Sequence, residues 1–260
     1  MIKLKLYQID AFANKSFEGN PAAVCPLNAW LSDEIMQHIA EENNLAETAF
    51  FVKEDEGYHL RWFTPTSEVD MCGHATLASA FVLYECMEYE GDVIDFHTKS
   101  GLLKVWQEGN RYMMDFPIQT IEPYDISKQI EEAFGIKPIA TYASMDYIVV
   151  FEDEKDILNA KPNLSLLKEL DLRGVCITAQ SHEYDFVTRF FAPKYGIDED
   201  SVTGSAFTQL VSYWADVLDK DILSAKQVSA RGGEVYCVVR DTRVEMSGSA
   251  VKYLEGTIEI

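Results

Sequence analysis

The chain has 260 residues, 47% of them hydrophobic and 25% charged, enough for one large domain or two ordinary ones with a real core. Its 43 acidic and 22 basic side chains give a formal charge of −21, which argues against nucleic-acid and anionic-membrane partners. No run reaches the roughly 18 consecutive apolar residues of a membrane span, and the N-terminus lacks the apolar stretch of a signal peptide, so a cytoplasmic protein is expected.

In chain order, Ile2–Ala13 alternates like a strand, and Glu18-Gly19-Asn20-Pro21 reads as a turn. Ser32-Asp33 opens a surface helix with Ile35, Met36 and Ile39 on one face, ending near Asn43-Asn44. Strands are expected at Ala46–Lys53, Tyr58–Phe63, Val93–His97, Gly101–Gln107 and Arg111–Phe116, the last two joined by a turn at Glu108-Gly109-Asn110. Between them, Gly73 leads a helix to Met87 that is apolar on nearly all sides, which requires protein all around it. Further strands fall at Tyr147–Phe151, Val175–Thr178, Phe186–Phe191, Val235–Arg240 and Arg243–Met246, with a second helix from Gly204 to Leu218.

The order repeats. Arg61-Trp62-Phe63-Thr64-Pro65 matches Arg189-Phe190-Phe191-Ala192-Pro193, and each is followed by a glycine-led apolar helix. An α/β (α+β) chain of two pseudo-symmetric halves is therefore expected, each a sheet rolled around one central helix. The boundary is expected near residues 116–124, giving halves of 1–118 and 119–250, and the alternating tail 251–260 returns to complete the first.

Five scattered cysteines without a CxxC pair, and five histidines without an HxH or HExxH pair, call for neither a disulfide framework nor a metal. No cofactor is expected. A glycine at a helix start lets a ligand approach unpaired N–H groups at the positive end of the dipole. Gly73 and Gly204 taken alone are tight-turn residues. As a matched pair whose helix N-termini face one cleft, they form a site for a carboxylate or an enolate-like oxygen. Glu47, at the start of an apolar strand, becomes an acid–base group if it faces that cleft rather than solvent. The ungapped repeat places Val175 opposite it, so the base is single.

Glu18-Gly19-Asn20-Pro21-Ala22-Ala23-Val24, Asn44-Leu45-Ala46-Glu47-Thr48, Cys72-Gly73-His74-Ala75-Thr76 and Gly196-Ile197-Asp198-Glu199-Asp200-Ser201-Val202-Thr203-Gly204-Ser205-Ala206, in that order, resemble the PhzF phenazine-biosynthesis family. The resemblance implies the diaminopimelate epimerase-like fold and a cofactor-independent isomerase acting on a small, carboxylate-bearing metabolite. The namesake enzyme isomerises dihydro-hydroxyanthranilate. Glu47 matches the family's catalytic glutamate, and His74, Asp200 and Ser205 match its active-site partners. Gly73, Gly204 and Ser205 would bind an oxyanion or carboxylate, and Asn20, in its turn, is a secondary ligand contact. A homodimer is implied as well.

Two positions depart from the family pattern, Ser201 in place of proline and Phe207 in place of a frequent histidine; the second would reshape the pocket, so the namesake's substrate is not carried over. Two other readings stand beside the isomerase. A two-base racemase on the same fold would use Cys72, but its counterpart Thr203 is a poor proton carrier. A non-enzymatic protein could bind a small acid in the same cleft.

Overall fold

The computed structural model describes residues 2–260. Its first unit comprises Met1–Asp115 with Ser247–Ile260. The N-terminal alternation forms β1 (Lys3–Ala11), which pairs antiparallel with β2 (Asn20–Leu27) on one side and with the C-terminal strand Ala250–Glu259 on the other. The turn expected at Glu18–Pro21 is shorter than its residues suggest, because Asn20 and Pro21 already belong to β2. Gly19 makes that entry possible. Its φ is +66°, and a Cβ there would lie 2.1 Å from the carbonyl oxygen of Ala11.

Helix α1 (Asp33–Asn43) starts where Ser32 accepts the N–H of Ile35 at 3.4 Å, and ends on Asn44 in the left-handed conformation. Its buried Met36, Ile39 and Ala40 pack on Cys25, Phe50 and Phe63. Strand β3 (Glu47–Lys53) then runs parallel to β2, and β4 (Tyr58–Phe63) antiparallel to β3. A two-residue strand, β5 (Glu68–Val69), folds back on β4 and delivers the chain to helix α2 (Gly73–Phe81).

All but the last residue of α2 is buried. Its buried hydroxyls are satisfied inside the helix: Thr76 Oγ1 donates to the Cys72 carbonyl and Ser79 Oγ to that of Ala75, at 2.6 and 2.7 Å. The expected helix to Met87 does not continue as α-helix. A π-helical turn, Val82–Cys86, replaces its last stretch, with Met87 N–H donating to the Val82 carbonyl. Strands β6 (Val93–Thr98), parallel to β4, and β7 (Gly101–Glu108) and β8 (Arg111–Pro117) complete the sheet.

The second unit, Phe116–Met246, repeats this order. It opens with β9 (Glu122–Pro123), α3 (Ser127–Phe134), β10 (Ala140–Ala143) and β11 (Tyr147–Val150). After α4 (Glu154–Asn159) and α5 (Leu164–Lys168), β12 (Val175–Gln180) runs parallel to β11, as β3 does to β2. Next, β13 (Phe186–Ala192) is antiparallel to β12, and a 3-10 turn leads into β14 (Ile197–Asp200), which folds back on β13. Helix α6 (Gly204–Leu218) follows, then β15 (Ile222–Gln227), parallel to β13, β16 (Gly233–Arg240) and β17 (Arg243–Gly248).

The repeated RxFxP motif has a structural purpose that the sequence did not disclose. Arg61 forms a two-bond fork to Glu68 (2.7 and 3.0 Å), and Arg189 an equivalent fork to Glu199 (2.7 and 2.9 Å). Each guanidinium also lies over the phenylalanine two residues on, 5.2 Å from Phe63 and 5.1 Å from Phe191. Both clamps hold closed the hairpin that precedes a glycine-led helix.

The hydrogen bonds from Arg61, together with Lys99, hold the Glu68 carboxyl below its ordinary value of 4.5. A depressed carboxyl stabilises the fold above its unfolded-state value, and the stabilisation is lost as pH falls through the folded-state value. Glu68→Gln should therefore lower stability by about 2 kcal/mol at neutral pH, the scale of a hydrogen bond to a charged group. Urea midpoints of both proteins, measured from pH 7 downward, should converge below pH 4.5.

Candidate functional site

In the first unit, three elements bring expected residues together. Glu47 is the first residue of β3, opposite Ala22 of β2; Asn20 begins β2; His74 is the second residue of α2. His74 Nε2 lies 3.0 Å from Glu47 Oε2, with the side chains 6% and 15% exposed, so the imidazole is enclosed while the carboxylate keeps an open edge. The contact is close but poorly directed, and neither atom meets hydrogen-bond geometry with any described residue. On the ring's other side, Nδ1 is 3.3 Å from Asn20 Nδ2 and 3.5 Å from Cys72 Sγ. Asn20 is thus a buried partner of His74, not a residue of an exposed turn.

Burial opposes a charge on the His74 ring, but the hydrogen-bonding contacts and charges of its neighbours, the Cys72 sulfur and the Glu47 carboxylate, favour it and raise its pKa above 6.5. Burial pushes the Cys72 thiol up, and the Glu47 carboxylate adds to that. Cys72 is therefore a thiol near neutrality, and Glu47 is the neighbour whose charge supports an imidazolium. Asn20 can serve either ring state, since its amide offers N–H to a neutral Nδ1 and, turned over, its carbonyl to a protonated one.

Glu47, Cys72 and His74 each bring a potential metal-ligand atom to within 4.8 Å of the others. The carboxylate approaches Nε2, whereas the sulfur approaches Nδ1. The 3.0 Å separation brings carboxylate and imidazole within electrostatic reach of each other. At the N-terminus of α2 the Ala75 N–H faces the Cys72 sulfur, and the N–H groups of Gly73 and His74 precede it in the first turn.

In the second unit, Gly204 begins α6, Ser205 follows it, and Asp200 ends β14. Asp200 Oδ2 accepts from Thr203 Oγ1 at 2.6 Å, and the Asp200 carbonyl accepts from Gln227 Nε2 at 2.8 Å. The fully buried Gln227 also accepts the Thr203 N–H, which fixes the loop before the helix. Val175 heads β12 as Glu47 heads β3, so this unit has no acid at the corresponding place.

Phe207 is not a pocket wall. It is fully buried against Phe186, because its place in the first turn of α6 faces the sheet. Ser201 is half-buried, and its carbonyl accepts from Ser229 Oγ. The sequence reading missed Asp146, Arg173 and Gln209, which form a polar network with Ser205. They are too far apart in the chain to leave a local signal. The Arg–Glu clamps could have been found, since each places a glutamate shortly after an RxFxP arginine, across a tight hairpin.

Two like-ordered units, each leading a buried helix with glycine, define an α/β chain of the diaminopimelate epimerase-like class. A predicted epimerase from Pseudomonas aeruginosa shares the fold, with a TM-score of 0.79 at 20% identity over 98% of this chain and 99% of that one. The crystal structure of a PhzF-family protein from Enterococcus faecalis superposes with a TM-score of 0.97 at 44% identity, covering both chains completely. Over 259 residues and the whole of both chains, the sequence is 51% identical to a P. aeruginosa protein described as an uncharacterized isomerase. The model of the PhzC-PhzF family, phenazine biosynthesis-like proteins, matches residues 9–256. The chain belongs to this PhzF-like family. Among its described residues, no helix is long and apolar enough to cross a membrane.

Proposed function

We propose that the protein is a cofactor-independent isomerase that moves a proton between carbons of a small carboxylate-bearing metabolite. The observation that carries this reading is the partly open Glu47 carboxylate, 3.0 Å from an enclosed imidazole. Glu47 accepts a proton from a substrate carbon, and the C–H electron pair moves into the adjoining unsaturated system. The carboxylic acid so formed exchanges its proton with solvent at its open edge and protonates a different carbon, leaving the enzyme unchanged. His74 supports the carboxylate before transfer, and Asn20 orients His74. Asp200 orients a polar substituent of the substrate, and the residues at the helix starts, Gly73 in one unit and Gly204 with Ser205 in the other, bind carboxylate or oxyanion groups. The isomerase description of a 51% identical relative supports the reaction class.

The test is incubation of the protein with a metabolite extract in deuterated water. A metabolite that gains deuterium only with active protein identifies substrate and reaction together; no such metabolite would favour a binding protein. Cys72→Ala should retain most of the exchange, because Cys72 is a protonated thiol and Thr203, its counterpart, is engaged with Asp200. Loss of exchange in Cys72→Ala with retention in Glu47→Gln would transfer the chemistry to a two-base epimerase.

A further inference from the structure

Arg173 lies outside every motif that carries the family resemblance, yet it touches the second residue of α6. Its Nε and Nη2 donate to Asp146 Oδ1 and Oδ2 at 2.9 and 2.6 Å, and Nη2 also donates to Ser205 Oγ at 2.8 Å. Asp146 is completely buried and braced from behind: its N–H donates to Gln209 Oε1, and Oδ2 accepts from Gln209 Nε2. The guanidinium carbon lies 5.4 Å from the centre of the Phe190 ring. Gly174 fixes the backbone beside it, since a Cβ there would stand 2.5 Å from Phe190 Cζ and 2.9 Å from the Phe191 carbonyl oxygen.

This anchoring leaves Nη1. Its two N–H groups have no partner among the described residues, and the side chain keeps 35% of its exposure. Ser205 Oγ already accepts from Arg173, so its own proton is available to donate outward. Both groups stand beside the first turn of α6, which no side chain caps.

The internal repeat gives the arrangement meaning. Ser205 follows Gly204 as His74 follows Gly73, but His74 meets a carboxylate and Ser205 meets a guanidinium. The guanidinium's charge is paired with Asp146 and also feels the Asp200 carboxylate, so what it offers an anion is the directed pair of N–H groups on its fixed, partly exposed Nη1 edge.

We propose that Arg173 Nη1 and the Ser205 hydroxyl bind the substrate's carboxylate, making Arg173 the residue that selects a planar two-oxygen anion over its neutral analogues. This rests on the isomerase reading for the identity of the ligand as substrate, but binding can be measured without turnover. Calorimetric titration with benzoate and with benzamide compares two probes of similar shape and different charge. The unaltered protein should bind benzoate at least tenfold more tightly than benzamide.

Arg173→Lys keeps a cation facing Asp146 but removes the free fork, and should weaken benzoate at least tenfold with benzamide unchanged. The double variant Asp146→Asn/Arg173→Gln replaces the ion pair by an amide pair and should abolish the preference, with circular dichroism confirming its fold. Equal binding of the two probes by the unaltered protein, binding of neither, or a folded variant that retains the preference would overturn the proposal. Glu47→Gln should keep the benzoate preference. Loss of that preference's dependence on Arg173, with deuterium exchange intact, removes only the anion site; absence of exchange with the preference intact removes only the isomerase.

Discussion

Glu47→Gln should reduce deuterium exchange into the substrate by at least about a hundredfold, the lower end for loss of a general acid–base group. The amide preserves the size and most of the hydrogen bonding of the side chain but neither accepts nor returns a proton at carbon. The substitution also removes the charge that supports His74. With burial then unopposed by Glu47, the imidazole pKa should fall, which nitrogen NMR of the ring would register. A raised histidine pKa contributes stability that is complete below the ordinary value of 6.5 and is lost as pH rises through the folded-state value. The variant's small stability deficit should therefore be largest on the acid side and shrink with rising pH. An exchange rate within threefold of the unaltered protein would remove Glu47 from the reaction.

Arg173→Met should destabilise the fold by about 3–5 kcal/mol, the cost of leaving one partner of a buried ion pair uncompensated. Asp146 has no exposure, and among the described residues Gln209 supplies the only other side-chain hydrogen bond at its carboxylate. The asymmetry of exposure decides the size of the effect, because the charge that remains is the enclosed one. Exposed pairs such as Lys3–Glu259, at 67% and 47%, contribute far less. Urea unfolding at neutral pH measures the loss directly. The double variant Asp146→Asn/Arg173→Gln should recover most of it, since no charge is then left in the interior. A single variant within 1 kcal/mol of the unaltered protein would show that water or rearrangement relieves Asp146.

Much of this architecture could be read from the chain. Ser32 and Asn44 bound α1 as their capping chemistry requires, and the all-round apolar character of Gly73–Phe81 marked a helix enclosed by protein. The repeat of RxFxP followed by glycine gave the two-unit order. Other elements were silent for physical reasons. Strand β2 contains Pro21 and Pro26, which resemble loop residues until Pro21 pairs with Asp10 of antiparallel β1 and Pro26 with Phe51 of parallel β3. Helices α4 and α5, six and five residues long, form through tertiary packing of Ile157 and Leu167 rather than through a pattern of their own. The π-turn at Val82–Cys86 leaves the same hydrophobic signature as the helix it interrupts.

The candidate site divides along the same line. Glu47, Gly73 and His74 stand in short contiguous motifs, so sequence alone could single them out. Asp146 and Arg173 are separated by 27 positions and become partners only because β11 and β12 begin side by side. Asn20 was legible as a residue of interest but not in its surroundings, because a glycine–asparagine–proline run reads as a bend.

The paired Arg–Glu clamps have an evolutionary consequence. Each one closes its hairpin with side chains distinct from those that head β3 and β12, so the scaffold and the chemistry occupy separate sets of residues. After a duplication, changes at those strand heads could accumulate without unlatching either copy. One descendant half could keep a proton carrier at its strand head while the other exchanged it for valine and recruited a guanidinium two positions earlier. Specialisation of the two halves would then require only a few point substitutions, each made in a protein that still folds.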